Sequence, residues 1–448
     1  MLRQRHRGVL FWGKQAKRKD FLALCPESNL INPHRKHNAQ SHYFTPYGNN
    51  SLKAQNNMPE FGLGTLICKI PNIRYDSVQS SDTLEDSKQQ RSAMQDQSQN
   101  PAISQNPSKT AQIAQSTSAK RATIVILATG GTIAGASDSA LKTTGYKAGA
   151  IGVEALIGAV PEIKKLANIT GEQIANIDSA DMSDEIWLKL AKRVNALLVD
   201  SSVDGVVITH GTDTMEESAF FLHLVAKSDK PIVFVGAMRP ATALSADGPK
   251  NLYNAIALAA SPESKGKGVM VMMNDRIQSA RYVSKLHTLN TQAFGSPASG
   301  DMGYVLGSKV VFYTMPTKPH TLESEFDVSA LDSLPRVDIL YSYANDGLAV
   351  AAQALFHHGT KALVIAGMGA GSIHKNHKTM LKKLMAQGLI VVQSSRINNG
   401  FISANEEDSG LGFIGSGDLN PQKARVLLLL ALTQTNSPAQ IAAIFNKY

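Results

Sequence analysis

Residues 127–135, Leu-Ala-Thr-Gly-Gly-Thr-Ile-Ala-Gly, carry an aliphatic run directly into two adjacent glycines and a threonine. Residues 209–217, Thr-His-Gly-Thr-Asp-Thr-Met-Glu-Glu, follow a second aliphatic run at 203–208. A buried strand that breaks into a glycine-rich loop holds that loop at the carboxyl end of a sheet, where open α/β folds bind their ligands. We therefore predict that the two loops contribute to one site.

Short apolar segments alternate with amphipathic segments from residue 122 onward. Runs rich in Val and Ile predict buried strands at 122–128, 203–208, 232–235, 269–272, 337–341, 362–366 and 389–393. Amphipathic stretches predict helices at 184–198, 214–226, 376–387 and 421–433. This order predicts an α/β protein with a doubly wound, mainly parallel sheet.

A break containing prolines, at residues 313–335, divides this pattern into a larger and a smaller part. We predict an N-terminal catalytic α/β domain at 121–315, a linker at 316–335 and a smaller C-terminal α/β domain at 336–448. Residues 80–120 are dominated by Ser, Gln, Asn, Asp and Lys, and such a composition buries too little to offset the entropy of ordering. We expect residues 1–120 to form a disordered basic and low-complexity extension.

The positive charge is concentrated at one end of the chain. Residues 1–40 hold nine Lys or Arg and two acidic residues, which is +7 of the net +9. The remainder is nearly neutral and predicts no nucleic-acid-binding face. For the basic end we favour a solvated tail over a phosphate-binding segment. No apolar run reaches the ~18–20 residues that span a bilayer, so we expect no membrane partner.

Two cysteines, Cys25 and Cys68, both precede the predicted domains. The domains therefore contain no thiol nucleophile and no cysteine zinc site, and we expect no metal and no cofactor. The glycine-rich loops also lack the spacings of the dinucleotide-binding and P-loop motifs.

The two loops supply hydroxyl groups that suit nucleophilic chemistry once a base removes their protons. Thr132 follows two glycines that leave room for a substrate carbonyl, and Thr212 is followed by the carboxylate of Asp213. Each has a structural alternative, since Thr and Asp also cap helices and turns. His210 and Lys285 are both candidate bases, although composition alone favours a solvated surface position for the lysine.

Taken together, these motifs resemble those of the bacterial-type L-asparaginase and glutaminase-asparaginase family, and in particular its type II, periplasmic-like branch. The resemblance covers about residues 121–448 and includes further matching segments at 236–240, 245–249, 251–254, 419–425 and 430–435. It implies hydrolysis of L-asparagine to L-aspartate and ammonia through a threonine acyl-enzyme, with some glutaminase activity.

The resemblance also implies roles for individual residues. Those implied to be catalytic are Thr132, Tyr146, Thr212, Asp213 and Lys285. Those implied to bind substrate are Ser179, Thr212, Asp213, Ala237, Ser372 and Glu407. Tyr146 would close over the substrate, and Lys285 would form a proton-handling triad with Thr212 and Asp213.

Glu407, with adjacent Glu406 as the alternative register, is implied to reach the site of a neighbouring subunit in a homotetramer. Ala180 and Ser372 replace polar groups of some family members, which leaves open a glutaminase-asparaginase that uses L-glutamine comparably. Two further hypotheses are an enzyme acting on glutamine bound to transfer RNA and an amino-acid sensor with an inactive site. The resemblance implies a periplasmic location, with the cytoplasm as the alternative because no signal peptide is legible.

Overall fold

A computed structural model of the protein describes residues 120–448 except for 142–144 and 146. The expected disorder of residues 1–120 therefore concerns residues that lie, apart from Lys120, outside the described part. Tyr146 lies outside it as well. No helix among the described residues is long and apolar enough to cross a membrane.

An eight-stranded sheet forms the larger part of the molecule. Its strands are β1 (Thr123–Gly130), β2 (Asn168–Ile177), β3 (Gly205–Thr209), β4 (Ile232–Val235), β5 (Val269–Met273), β6 (Arg276–Ser279), β9 (Gly303–Leu306) and β10 (Lys309–Phe312), and between β6 and β9 lie the short strands β7 (Ser284–Lys285) and β8 (Phe294–Gly295). The order across the sheet is β10-β9-β6-β5-β4-β3-β1-β2. Strands β1 to β5 are parallel, and β6, β9 and β10 extend the sheet antiparallel.

Helices cover both faces of this sheet because the side chains of its strands alternate between two apolar cores. The helices of this part are α1 (Val153–Ala159), α2 (Ile163–Leu166), α3 (Asp184–Val199), α4 (Met215–Val225) and α5 (Gly248–Ala260). Val125 and Leu127 of β1 pack in the core that contains α3 and α4. Ile124 and Ile126 face the core that contains α1, α2 and α5. The predicted doubly wound, mainly parallel sheet is confirmed.

The strand order places the carboxyl ends of β1 and β3 at the topological switch point of the sheet. From β1 the chain proceeds to β2 on one side, and then continues with β3, β4 and β5 on the other side. Ligands of doubly wound sheets bind at this switch point, outside the carboxyl ends of the strands. The two glycine-rich loops follow β1 and β3 directly.

A second, four-stranded parallel sheet forms the C-terminal part, and the predicted α/β class of this part is confirmed. Its strands are β11 (Val337–Tyr341), β12 (Ala362–Gly367), β13 (Ile390–Ser395) and β14 (Ile414–Gly415), adjacent in that order. Its helices are α6 (Leu348–His357), α7 (Lys375–Met385), α8 (Glu406–Gly410), α9 (Pro421–Ala431) and α10 (Pro438–Lys447). The residues between β10 and β11 contain a 3-10 turn at Thr321–Glu323.

Helix α9 joins the two sheets. Its residues 426–430 are buried in the same core as the α3 and α4 face of the large sheet and one face of the small sheet. The opposite face of the small sheet packs on α6 and α7. The domain boundaries at 315 and 335 stay predictions, since this core is continuous across them.

Candidate active site

The loop after β1 depends on two glycines with backbone angles that L side chains rarely adopt. Gly130 and Gly131 have φ values of +106° and +79°. A side-chain carbon on Gly131 would lie 2.3 Å from the Cα of Gly211, so the loops after β1 and β3 pack backbone against backbone. Thr132 begins a short 3-10 helix, Thr132–Ala134, directly behind this contact.

The loop after β3 is fixed by bonds to its neighbours in the sheet and to Ser179. The hydroxyl of Thr129, near the end of β1, donates to the carbonyl of Thr209 at 2.9 Å. Ser179 accepts the backbone N–H of Asp213 on its hydroxyl at 3.1 Å, and its carbonyl accepts the hydroxyl of Thr214 at 2.8 Å. These bonds hold Thr212 and Asp213 at the start of α4.

Lys285 meets both of these residues. Its ammonium donates to the Thr212 hydroxyl at 2.9 Å and to the Asp213 carboxylate. The Lys285 side chain is 19% exposed, whereas that of Asp213 is 58% exposed. A lysine bonded to a threonine hydroxyl, with a carboxylate to balance its charge, provides a route for proton transfer.

A cavity of about 290 Å³ unites these groups. Its lining residues are Thr132, Gly145, Asp178, Ser179, Thr212, Asp213, Met238, Lys285, Thr288 and Leu289. Thr132, Thr212 and Ser179 are buried. Their side chains therefore border the cavity and have little contact with open solvent. The cavity is large enough for an amino acid, and its wall carries four hydroxyls, one ammonium and two carboxylates.

The remaining predicted residues lie elsewhere. Ala237 is fully buried and follows β4, next to Met238 of the cavity wall. Ser372 is exposed in the C-terminal part, and Glu407 is 73% exposed and pairs with Lys378 at 3.1 Å. Neither Ser372 nor Glu407 is among the residues that line the cavity.

His210, the alternative base, is buried in the core and is not part of the cavity wall. Its Nδ1 lies 2.7 Å from the carbonyl of Gly211, and its ring packs 5.6 Å from that of Phe234. Burial lowers the pKa of His210 to about 4. Its location therefore does not favour a role as the base.

Sequence reasoning missed five residues of the cavity wall, namely Gly145, Asp178, Met238, Thr288 and Leu289. Asp178 was detectable, because it directly precedes Ser179 and caps the short 3-10 helix that Ser179 begins. Met238, Thr288 and Leu289 give no local signal, since they reach the cavity through the packing of separate loops. Among residues 120–448, outside the gaps at 142–144 and 146, no group of three or more His, Cys, Asp or Glu could hold a metal ion.

Comparison with known proteins shows the family to which the chain belongs. Residues 123–318 match the family profile "Asparaginase, N-terminal", and residues 336–445 match "Glutaminase/Asparaginase C-terminal domain". The chain belongs to the asparaginase family. The family predicted from the two loops is thereby confirmed.

Individual asparaginase relatives match over nearly their whole length. L-asparaginase 2 of Bacillus subtilis is 52% identical over 325 residues, which is 72% of this chain and 86% of the relative. The glutaminase-asparaginase of Pseudomonas fluorescens is 48% identical over 335 residues, which is 74% of this chain and 92% of the relative. The crystal structure of a probable cytoplasmic L-asparaginase from Campylobacter jejuni is 62% identical, with a TM-score of 0.72, and covers 73% of this chain and 100% of its own.

Proposed function

We propose that this chain is an amidohydrolase that converts L-asparagine to L-aspartate and ammonia, with some activity on L-glutamine. One observation carries the proposal: the Lys285 ammonium bonds to Thr212 and Asp213 in the same cavity that Thr132 and Ser179 line. Membership of the asparaginase family supports the same activity.

The proposed reaction has two halves. A threonine hydroxyl attacks the amide carbon, its proton passes through a base to the amide nitrogen, and the C–N bond breaks as ammonia leaves. Water then hydrolyses the resulting ester and returns the hydroxyl proton. Backbone N–H groups beside the two threonines would stabilise the oxyanion that forms in each half.

The proposed catalytic roles belong to four residues of the cavity wall and to Tyr146. Thr132, assisted by Tyr146, attacks the amide, while Thr212, Asp213 and Lys285 transfer protons. Because family members differ in how the two threonines are assigned, both are treated as catalytic.

Substrate recognition is proposed to need a second subunit. Ser179, Asp213 and the backbone of Ala237 would hold the amino-acid head group. Ser372 and Glu407 would act at the site of the neighbouring subunit in a homotetramer. A carboxylate such as Glu407 suits the α-ammonium of the substrate. Its 73% exposed side chain leaves it accessible to another copy.

A glutaminase-asparaginase that uses both amides comparably is the second candidate. The observation in its favour is Ala180, whose methyl group offers no hydrogen bond beside Ser179. One methylene changes discrimination by only about 1–3 kcal/mol, so a small change in the pocket can shift the preference. For the compartment, we propose the periplasm by resemblance, with the cytoplasm as the alternative.

Ammonia release from asparagine and from glutamine, measured side by side on the purified protein, tests this proposal. Thr132→Ala and Thr212→Val should both abolish nearly all turnover while the fold is kept. Wild-type rates in either variant would remove that threonine from the mechanism, and binding of asparagine without ammonia release would favour a sensor. Sedimentation of the wild type tests the tetramer.

A further inference from the structure

The backbone of Lys285 is held by a buried carboxylate from another part of the chain. Lys285 lies in β7, which within the described residues pairs with the equally short β8 and belongs to neither large sheet. Its backbone N–H donates to Oε2 of Glu216 at 2.7 Å. The position of the lysine therefore depends on where Glu216 lies.

Glu216 belongs to the same short segment as the residues that meet the lysine ammonium. It lies in the first turn of α4, four residues after Thr212 and three after Asp213. This segment thus holds both ends of Lys285. Thr212 and Asp213 bind its ammonium, and Glu216 binds its backbone N–H. Glu216 is 7% exposed, and a buried carboxylate is stable only when its oxygens are paired.

The second oxygen of Glu216 is paired by the C-terminal part of the chain. Oε1 accepts the side-chain N–H of Asn420 at 3.0 Å, and the same Asn420 nitrogen donates to the hydroxyl of Ser284 at 3.2 Å. The side-chain oxygen of Asn420 accepts the backbone N–H of Lys423 at 3.0 Å and so caps α9.

Lys423 completes the contacts. It is buried, its ammonium donates to the carbonyl of Val283, and burial lowers its pKa to about 8 against the opposing effect of the Glu216 charge. Val283, Ser284 and Lys285 are therefore each bonded to a side chain of α4, of the first turn of α9 or of the residue that caps α9.

We propose that Glu216 and Asn420 are positioning residues that fix the Lys285 ammonium within hydrogen-bond reach of Thr212. This inference rests on the proposed function. Neither residue lines the cavity, so neither is expected to touch substrate. Their effect reaches the reaction through the backbone of residues 283–285, and it makes the C-terminal part of the chain necessary for the N-terminal site.

Variants at Glu216 separate positioning from simple loss of packing. Glu216→Ala leaves the Lys285 N–H without its acceptor, and we expect kcat to fall about 10²-fold, as for a displacement of about 1 Å. Glu216→Gln keeps an acceptor and should lose less than about tenfold, the value of roughly one uncharged hydrogen bond. KM should change much less than kcat in Glu216→Ala, because Glu216 does not line the cavity.

Variants at Asn420 test the same idea without removing a charge. Serine also caps helices but is too short to reach Glu216. We therefore expect Asn420→Ser and Asn420→Ala to lower kcat alike, while the alanine variant alone loses thermal stability through α9. Ser183→Ala removes the side-chain cap of α3 but does not alter the cavity lining, so it should lower stability and leave kcat unchanged.

The proposal is overturned if Glu216→Ala and Asn420→Ser keep the wild-type kcat per folded molecule, whatever their unfolding temperatures. A wild type that releases no ammonia from either amide would instead defeat the proposed function. In that event a crystal structure of Glu216→Ala still decides the inference. Lys285 Nζ remaining 2.9 Å from Thr212 would overturn it, and a displaced Nζ would support it.

Discussion

Gly131 and Gly211 pack so closely that a side-chain carbon on Gly131 would lie 2.3 Å from the Cα of Gly211. Gly131 is followed directly by Thr132 and Gly211 by Thr212, and both threonines line the cavity. The approach of the two backbones thus brings the hydroxyls of Thr132 and Thr212 to one site.

Gly131→Ala is expected to separate the loops and misplace both hydroxyls. We expect kcat/KM for asparagine to fall by about 10²-fold or more, as for a displacement of about 1 Å. Gly266→Ala is the matched control, since Gly266 has a similar φ of +71° but no atom near the added carbon. The free energy of unfolding of this control should fall by only about 1–2 kcal/mol, which is the cost of left-handed backbone for an L side chain. Equal losses of activity in both variants would show that the contact with Gly211 is unimportant.

Replacement of Lys285 should abolish proton transfer. Lys285→Met is expected to lower kcat by about 10²–10⁴-fold. Lys285→Arg should fail as well, because a guanidinium keeps its proton at neutral pH. In the control Lys230→Met, the lost ammonium bonds the carbonyls of Asp200 and Val203, neither of which lines the cavity, so stability should fall and steady-state kcat should not. A fully active Lys285→Arg would mean that the residue supplies charge alone.

Ser179→Ala should weaken substrate binding more than it slows the reaction. The hydroxyl lines the cavity and accepts the N–H of Asp213, so its loss removes one bond worth about 1 kcal/mol and loosens the head-group site. We expect KM to rise about tenfold with a smaller change in kcat. Ser218→Ala, which removes a buried bond to Trp187 outside the cavity, serves as the control and should leave KM unchanged. A change confined to kcat would assign Ser179 to the reaction itself.

The protein should lose stability in mild acid. The rings of His223 and His320 lie 4.8 Å apart, and burial lowers the pKa of both, that of His223 well below 6.5. The unfolded chain takes up protons at these side chains as the pH falls through about 6.5, whereas the folded chain does not. The unfolding free energy should therefore decrease below that pH, by at most about 1.4 kcal/mol per pH unit for each histidine.

Urea unfolding above and below pH 6.5 measures this effect. His223→Gln keeps an acceptor for the N–H of Val269 and should flatten the pH dependence, whereas the exposed His357→Gln should not. An unchanged slope in His223→Gln would exclude His223 as a cause.

Most of the parallel framework could be predicted from the sequence. The apolar pattern predicts the strands Ile232–Val235 and Val337–Tyr341 with their observed bounds, because each is a short apolar run closed by turn or helix residues. It does not predict the antiparallel strands β6, β9 and β10. Their four-residue segments mix polar and apolar side chains, and their pairing depends on neighbours rather than on local pattern.

The sequence by itself determined the family, the α/β order and the two loops that carry Thr132 and Thr212, because each of these signals lies within about a dozen adjacent residues. Only the tertiary structure decided how Lys285 is held, since Glu216 and Asn420 are 204 residues apart in the chain. No local pattern specifies such a contact. It arises where α9 packs against α4 and brings the beginnings of both helices to residues 283–285.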